Sequence, residues 1–238
     1  MGKTSRSSLA QPIPWWKLWW SYLFEMHIES APNEVNPHLY VSLRNGRYQL
    51  STANAIYSYE DLYTNFYQAF HQVQLPDNQR DVLLLGFGLG SIPRMLEQRF
   101  QKHYHYTAVE LDESVLYLAQ KYTLPQLTSP IETICTDAYA YVLQSKQQYD
   151  LICMDVFLDD TIPEQFQTVE YLQALKQLLL PDSVLLYNCL AAKKEDQLAS
   201  QQFYEKQFLA VFPEGTYLQV DGNWILLNDK RFLRKSLG

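Results

Sequence analysis

Leu83-Leu84-Leu85-Gly86-Phe87-Gly88-Leu89-Gly90-Ser91 is an apolar run that breaks into glycines at alternate positions and then leads into a helical pattern. The leucines read as a buried strand, because a short continuous apolar run bounded by turn residues suits a strand covered on both faces. Glycine is needed where the chain turns sharply from strand to helix, and where main chain must approach a bound molecule with no Cβ in the way. The spacing is G-x-G-x-G. A dinucleotide fingerprint, G-x-G-x-x-G, would need its third glycine at Ser91. A structural strand-to-helix turn would carry the same glycines, so the surrounding residues decide what the loop is for.

Downstream, strand and helix patterns alternate. Asp81 to Leu85 reads as a strand, Ile92 to Phe100 as a helix, Tyr104 to Val109 as a strand and Glu113 to Tyr122 as a helix. Ile131 to Cys135 is a strand, Ala138 to Gln144 a helix and Leu151 to Met154 a strand. Phe166, Val169, Leu172, Leu175 and Leu179 recur at three- and four-residue steps and predict one long helix from Pro163 to Leu180. Ser183 to Asn188 is the next strand, Glu195 to Phe212 a helix, and Tyr217 to Val220 with Trp224 to Leu227 a closing hairpin around Asp221-Gly222. Strands alternating with helices predict an α/β fold: a mostly parallel seven-stranded sheet with helices on both faces.

Upstream, Leu39 to Leu43, Asn45-Gly46 and Arg47 to Leu50 form a strand, turn and strand, the strongest short-range hairpin signal. A small antiparallel β subdomain is expected there, and Leu62, Phe66, Ala69, Phe70 and Val73 predict a connecting helix over Glu60 to Val73. The division expected is an aromatic segment over residues 1–25, the β subdomain over 26–59 and the main domain over 60–238. In the first of these, Trp15, Trp16, Trp19 and Trp20 crowd around Lys17. Such a segment suits either peripheral contact with a membrane interface or packing on the domain or on a second subunit, as in a homodimer.

Three carboxylates follow successive strands. Glu110 ends the strand after the glycine loop, about twenty residues beyond Gly90, where it can accept hydrogen bonds from both hydroxyls of a ribose. Asp112 suits the cap of the next helix. Asp137, followed by Ala138, opens another helix; its carboxylate can accept an adenine amino group while the Ala138 amide reaches a ring nitrogen, and an ordinary helix cap would look the same. Asp155 ends the fourth strand and can hold or deprotonate a cationic amine. In open parallel sheets ligands bind outside the carboxyl ends of strands, where all of these lie.

Bulk properties narrow the field. The formal net charge of -7 and the lack of any Lys/Arg block longer than a pair disfavour a nucleic-acid partner. No run of about 18 apolar residues is present to span a membrane, and Arg6 breaks the acylation signal that the opening residues otherwise approach. Cys135, Cys153 and Cys189 have no metal spacing and read as reduced, buried thiols of a cytoplasmic protein. The histidines form no metal-ligand pair, and no Ser, Cys and His arrangement suggests a nucleophile.

Together these residues resemble the spermidine synthase family, in which a small β subdomain precedes a class I methyltransferase-like, Rossmann-like fold. The resemblance runs from about Leu39 to Leu227 and rests on the hairpin, the glycine loop, Val109-Glu110-Leu111-Asp112, Asp137-Ala138 and the stretch leading to Asp155. It implies S-adenosylmethionine, or its decarboxylated form, held by Gly86, Gly88, Gly90, Glu110, Asp137 and Ala138. It also implies a small-molecule acceptor at Asp155, Tyr63 and Asp159. The acid that binds the aminopropyl donor's amino end in that family is replaced by Leu89. The Tyr-His-Glu triplet becomes Tyr63-Thr64-Asn65, and the Asp-x-x-Asp-Pro gate becomes Asp155-Val156-Phe157-Leu158 with the next acid at Asp159. These departures point to methyl transfer ahead of aminopropyl transfer; a non-catalytic binding module of the same fold is the third reading.

Overall fold

The structure is a computed structural model, and it describes residues 13–33, 37–52, 56–58, 64–158 and 161–234. After Pro14, α1 (Trp15–Trp20) buries none of its residues, and Trp15 and Trp19 are 79% and 70% exposed. Four antiparallel strands follow in sheet order: β1 (Met26–Ser30), β2 (Tyr40–Arg44), β3 (Arg47–Ser51) and β4 (Ile56–Ser58). The β2–β3 turn is the one expected at Asn45-Gly46. Both residues have positive φ, 51° and 73°, as the tightest hairpin turns require.

A connecting helix α2 (Thr64–Gln72) leads into the main sheet, which is built from β5 (Asp81–Leu85), β6 (His105–Glu110), β7 (Ile131–Cys135), β8 (Tyr149–Met154), β9 (Leu179–Leu190), β10 (Thr216–Val220) and β11 (Asn223–Leu227). Their order is β10-β11-β9-β8-β5-β6-β7. All neighbours from β7 to β9 are parallel, and β11 runs antiparallel to both β9 and β10. The chain first steps outward from β5 to β6 and β7, then returns to the other side of β5 with β8 and β9. That reversal makes β5 and β8 the switch point of the sheet, and in open α/β sheets ligands bind beyond the carboxyl ends of the strands at such a point.

Side-chain alternation divides the core into two layers. Val82, Leu84, Ala108, Leu151, Cys153 and Leu186 face the layer that holds α2, α3 (Ser91–Phe100) and α4 (Glu113–Tyr122). Leu83, Leu85, Val109, Ile152, Met154 and Leu185 face α5 (Ala138–Gln144), α6 (Val169–Gln177) and α7 (Lys194–Phe203). The small sheet continues the first layer, since Val41, Leu43, Tyr48 and Leu50 belong to the same apolar cluster. Polar contacts lock it there. Glu29 accepts hydrogen bonds from Lys121 Nζ (2.7 Å) and Tyr122 Oη, and Asn33 Nδ2 donates to Asp112 Oδ1 (2.6 Å).

Four expectations need correction. The long helix over Pro163 to Leu180 is instead a 3-10 turn over Glu164–Gln167 followed by α6. Thr168 Oγ1 accepts the Tyr171 amide (3.2 Å) and so starts a fresh helix, while Leu179, which continues the helical spacing, pairs with Tyr149 as the first residue of β9. β9 is therefore twice as long as the predicted strand, with Pro181 and the positive-φ Asp182 at an irregularity in its early part. The helix expected from Glu195 to Phe212 contains a π-helical turn at Tyr204–Phe208. Cys135 is exposed because it closes β7, the edge strand, whereas Cys153 and Cys189 are buried as expected.

Among the described residues no helix is long and apolar enough to cross a membrane.

Candidate active site at the carboxyl edge of the sheet

Gly86, Gly88 and Gly90 all adopt positive φ, at 83°, 55° and 80°. Two of them have reasons internal to the chain. A Cβ on Gly86 would lie 2.3 Å from the carbonyl oxygen of Asp155, and one on Gly90 would lie 3.0 Å from the Phe87 ring. Gly86 therefore lets the ends of β5 and β8 touch, a contact also held by the Asp155 amide donating to the Leu85 carbonyl (2.8 Å). Gly88 is half-buried and sits between them at the tip of the turn.

Glu110 organises this turn. Its Oε2 accepts the amides of Phe87 (3.1 Å) and Gly88 (3.0 Å), and its Oε1 accepts those of Leu111 (2.9 Å) and Asp112 (3.2 Å). All four acceptor positions of the carboxylate are thus engaged by main chain. The sequence reading put Glu110 beside the loop for a ribose; here the same carboxylate also holds the loop in shape, so ribose hydroxyls would have to share or displace these amides. Burial pushes the Glu110 carboxyl above its ordinary value, and the four amides offset part of that rise.

Asp137 caps α5, with Oδ1 accepting the Tyr139 amide (2.7 Å); Oδ2 has no hydrogen bond among the described residues. The structure shows the cap, made by one oxygen, and leaves the other oxygen free of that role. Ala138 opens the helix, so its amide is among those that an α-helix cannot satisfy internally. Asp112 caps α4 through the Ser114 amide (2.8 Å), as expected.

Asp155 lies just past the end of β8. Its Oδ1 accepts a hydrogen bond from Asn188 Nδ2 (2.8 Å), and Asn188 Oδ1 in turn accepts one from Asn223 Nδ2 (2.9 Å). Neither asparagine was picked out in the sequence, although an Asn in the apolar run Leu185-Leu186-Tyr187-Asn188-Cys189-Leu190 is a signal that could have been read. Ser42 and Gln49, register partners in β2 and β3, were also missed. Both are buried, and Ser42 Oγ and Gln49 Oε1 have no hydrogen-bond partner among the described residues. Tyr63 and Asp159 lie outside the described residues. Gly86, Gly88, Gly90, Glu110, Asp137, Ala138 and Asp155 all fall at the carboxyl ends of β5, β6, β7 and β8 or on the turns that follow them.

The spermine/spermidine synthase domain matches residues 58–224. The chain is 30% identical over 147 residues to a probable polyamine aminopropyl transferase of Bifidobacterium longum, covering 62% of this chain and 32% of that protein. It is 32% identical over 124 residues to an N-terminal histidine N-methyltransferase of Emericella nidulans, covering 50% of this chain and 21% of that protein. The chain thus spans a third or less of the length of these curated relatives. A probable spermidine synthase from Corynebacterium glutamicum superposes with a TM-score of 0.64 at 18% identity, over 84% of this chain and 80% of that one.

Proposed function

Because this chain belongs to the spermine/spermidine synthase domain family, we propose that it binds S-adenosylmethionine at the carboxyl edge of its sheet and transfers the methyl group to a small amine acceptor. The residues present suit such a nucleoside. The glycine turn offers a half-buried main chain, Glu110 a carboxylate bonded to that turn from the end of the next strand, and Asp137 with Ala138 an acceptor and a donor for the edge of a purine. When bound, the cofactor supplies an electrophilic carbon next to a sulfonium. Asp155 would face the acceptor nitrogen and take the proton that this nitrogen gives up on receiving the methyl group. Much of the acceleration in such a site comes from holding the two reactants in line, with the base adding about 10²- to 10⁴-fold.

The observation that carries methyl over aminopropyl transfer is Leu89. It is fully buried in the apolar core, so the place between the later loop glycines presents no carboxylate to a donor's terminal ammonium. The Asp155 turn likewise lacks a second acid at Leu158. Aminopropyl transfer from decarboxylated S-adenosylmethionine is the second reading, favoured by the name of the Bifidobacterium longum relative. Incubation with each donor and a panel of small amines separates the two by the nucleoside released: S-adenosylhomocysteine from methyl transfer, methylthioadenosine from aminopropyl transfer. Methylthioadenosine as the sole product would overturn the first reading, and neither product with any amine would leave the fold as a binding module.

A further inference from the structure

Asn188 is 2% exposed, in the middle of a strand end that is otherwise apolar. Burying an amide there is costly for each polar end left without a partner, and Asn is depleted from strands. Both ends are used. The amide nitrogen donates to Asp155 Oδ1 (2.8 Å) and the amide oxygen accepts from Asn223 Nδ2 (2.9 Å). An ionised carboxylate can only accept, so Asp155 dictates which end of Asn188 faces it, and Asn188 then dictates the orientation of Asn223.

The register explains how three strands deliver these groups to one line. In the parallel β8–β9 pair Met154 lies opposite Tyr187, which puts Asp155 level with Asn188. In the antiparallel β9–β11 pair Asn188 lies opposite Ile225, and Asn223, two residues before Ile225, projects from the same face. The hairpin that carries Asn223 is tied down on both sides. The Gly222 carbonyl accepts the Ala191 amide (2.9 Å), and Asp221 Oδ2 accepts the hydroxyl of Thr64 (3.1 Å) at the start of α2.

We propose that Asn188 and Asn223 are positioning residues: a relay of two amides, running from the closing hairpin to β8, that fixes the Asp155 carboxylate in the direction from which it meets the acceptor. The proposal rests on the reading of Asp155 as the acceptor's proton-taker. Neither asparagine touches the acceptor or the cofactor in this account; both act through Asp155. The hairpin tip, Asn188 and Asp155 form one mechanical unit, so a change at the tip is felt at the reacting nitrogen.

The test uses the full chain and the variants Asn188→Ala, Asn223→Ala, Asp155→Asn and their pairs. Asn223→Ala, at a strand end, keeps the test usable if Asn188→Ala does not fold. Each Ala variant is expected to lower kcat about 10- to 100-fold, the cost of a base displaced by about an ångström or less, with acceptor KM and cofactor affinity within about two-fold of wild type. In the Asp155→Asn background the same substitutions should cost nothing further, because there is no longer a base to position. An undiminished loss in that background, or no loss in the wild-type background, overturns the proposal. A readout independent of turnover is the side-chain amide signal of Asn188 in a ¹H–¹⁵N spectrum. It should move on Asp155→Asn and on Asn223→Ala. If it is the same in all three proteins the relay does not exist, whatever the enzyme does. If it moves while no amine is turned over, the relay stands as a structural feature and the positioning role falls with the reading of Asp155.

Discussion

Replacing Glu110 by Gln is the most informative single change. The substitution keeps the size of the side chain but leaves one oxygen where there were two. Either orientation of the new amide turns its nitrogen toward a pair of main-chain N–H groups, Phe87 and Gly88 on one side or Leu111 and Asp112 on the other. Two hydrogen bonds to a charged acceptor are lost, each worth roughly 1.5–3 kcal/mol net. Removing a buried charge, whose cost is visible in the upward push on the Glu110 carboxyl, gives part of this back. A net loss of about 2–4 kcal/mol remains, a fall in Tm of roughly 4–16 °C for a chain of this size. Because the glycine turn is shaped by the same carboxylate, nucleoside affinity should fall in parallel by about 10- to 100-fold, a loss of roughly 1.4–2.8 kcal/mol. Thermal unfolding and titration calorimetry with S-adenosylhomocysteine measure the two effects. A Gln variant that melts within 1 °C of wild type, by a threshold of about half a kcal/mol, would refute the role given to Glu110 in holding the loop.

Gly86→Ala and Gly88→Ala should separate structure from binding. The first drives a Cβ to 2.3 Å from the Asp155 carbonyl and should cost at least about 2–4 kcal/mol in a denaturant melt, whereas the second, with φ of 55°, should cost about the 1–2 kcal/mol of left-handed strain. Glu97 tests the pH dependence of the α3 layer. Burial pushes its carboxyl up, but bonds from Thr128 and Ser129 outweigh this and hold it below its ordinary value. A depressed folded value means stability that is present above the unfolded value and lost as pH falls through the folded one. Glu97→Gln should therefore flatten the decline of Tm below about pH 4.5, and an unchanged acid limb would contradict it. Trp15→Ser and Trp19→Ser should change stability by no more than about 0.5 kcal/mol, since neither ring is buried; a larger loss in the monomer would mean that α1 packs on the domain.

The succession of strands and helices along the chain, the glycine turn and the placement of Glu110, Asp137 and Asp155 at strand ends could all be read from the sequence, because each depends on local pattern. Apolar runs mark the strands, and polar residues right after them mark the carboxyl edge of the sheet. What local pattern could not give is partnership between distant segments. The need for Gly86 comes from the Asp155 carbonyl, about seventy residues away in sequence, and only the β5–β8 pairing reveals it. Leu179 fits a helical stripe through Leu175, yet pairing with Tyr149 draws it into β9. Cys135 reads as buried by its neighbours, but its strand lies at the edge of the sheet and leaves it exposed. The Asn223–Asn188–Asp155 relay spans three strands, so none of its members stands out by spacing alone.

Titration of the full chain with S-adenosylmethionine, followed by calorimetry in parallel on wild type and on Gly88→Trp, tests the central claim most directly. The account predicts saturable binding at one site per chain in the wild type and no detectable binding in the variant, whose circular dichroism spectrum stays that of the wild type. Equal binding by a folded Gly88→Trp protein, or no binding of S-adenosylmethionine or its decarboxylated form by the wild type, would contradict it.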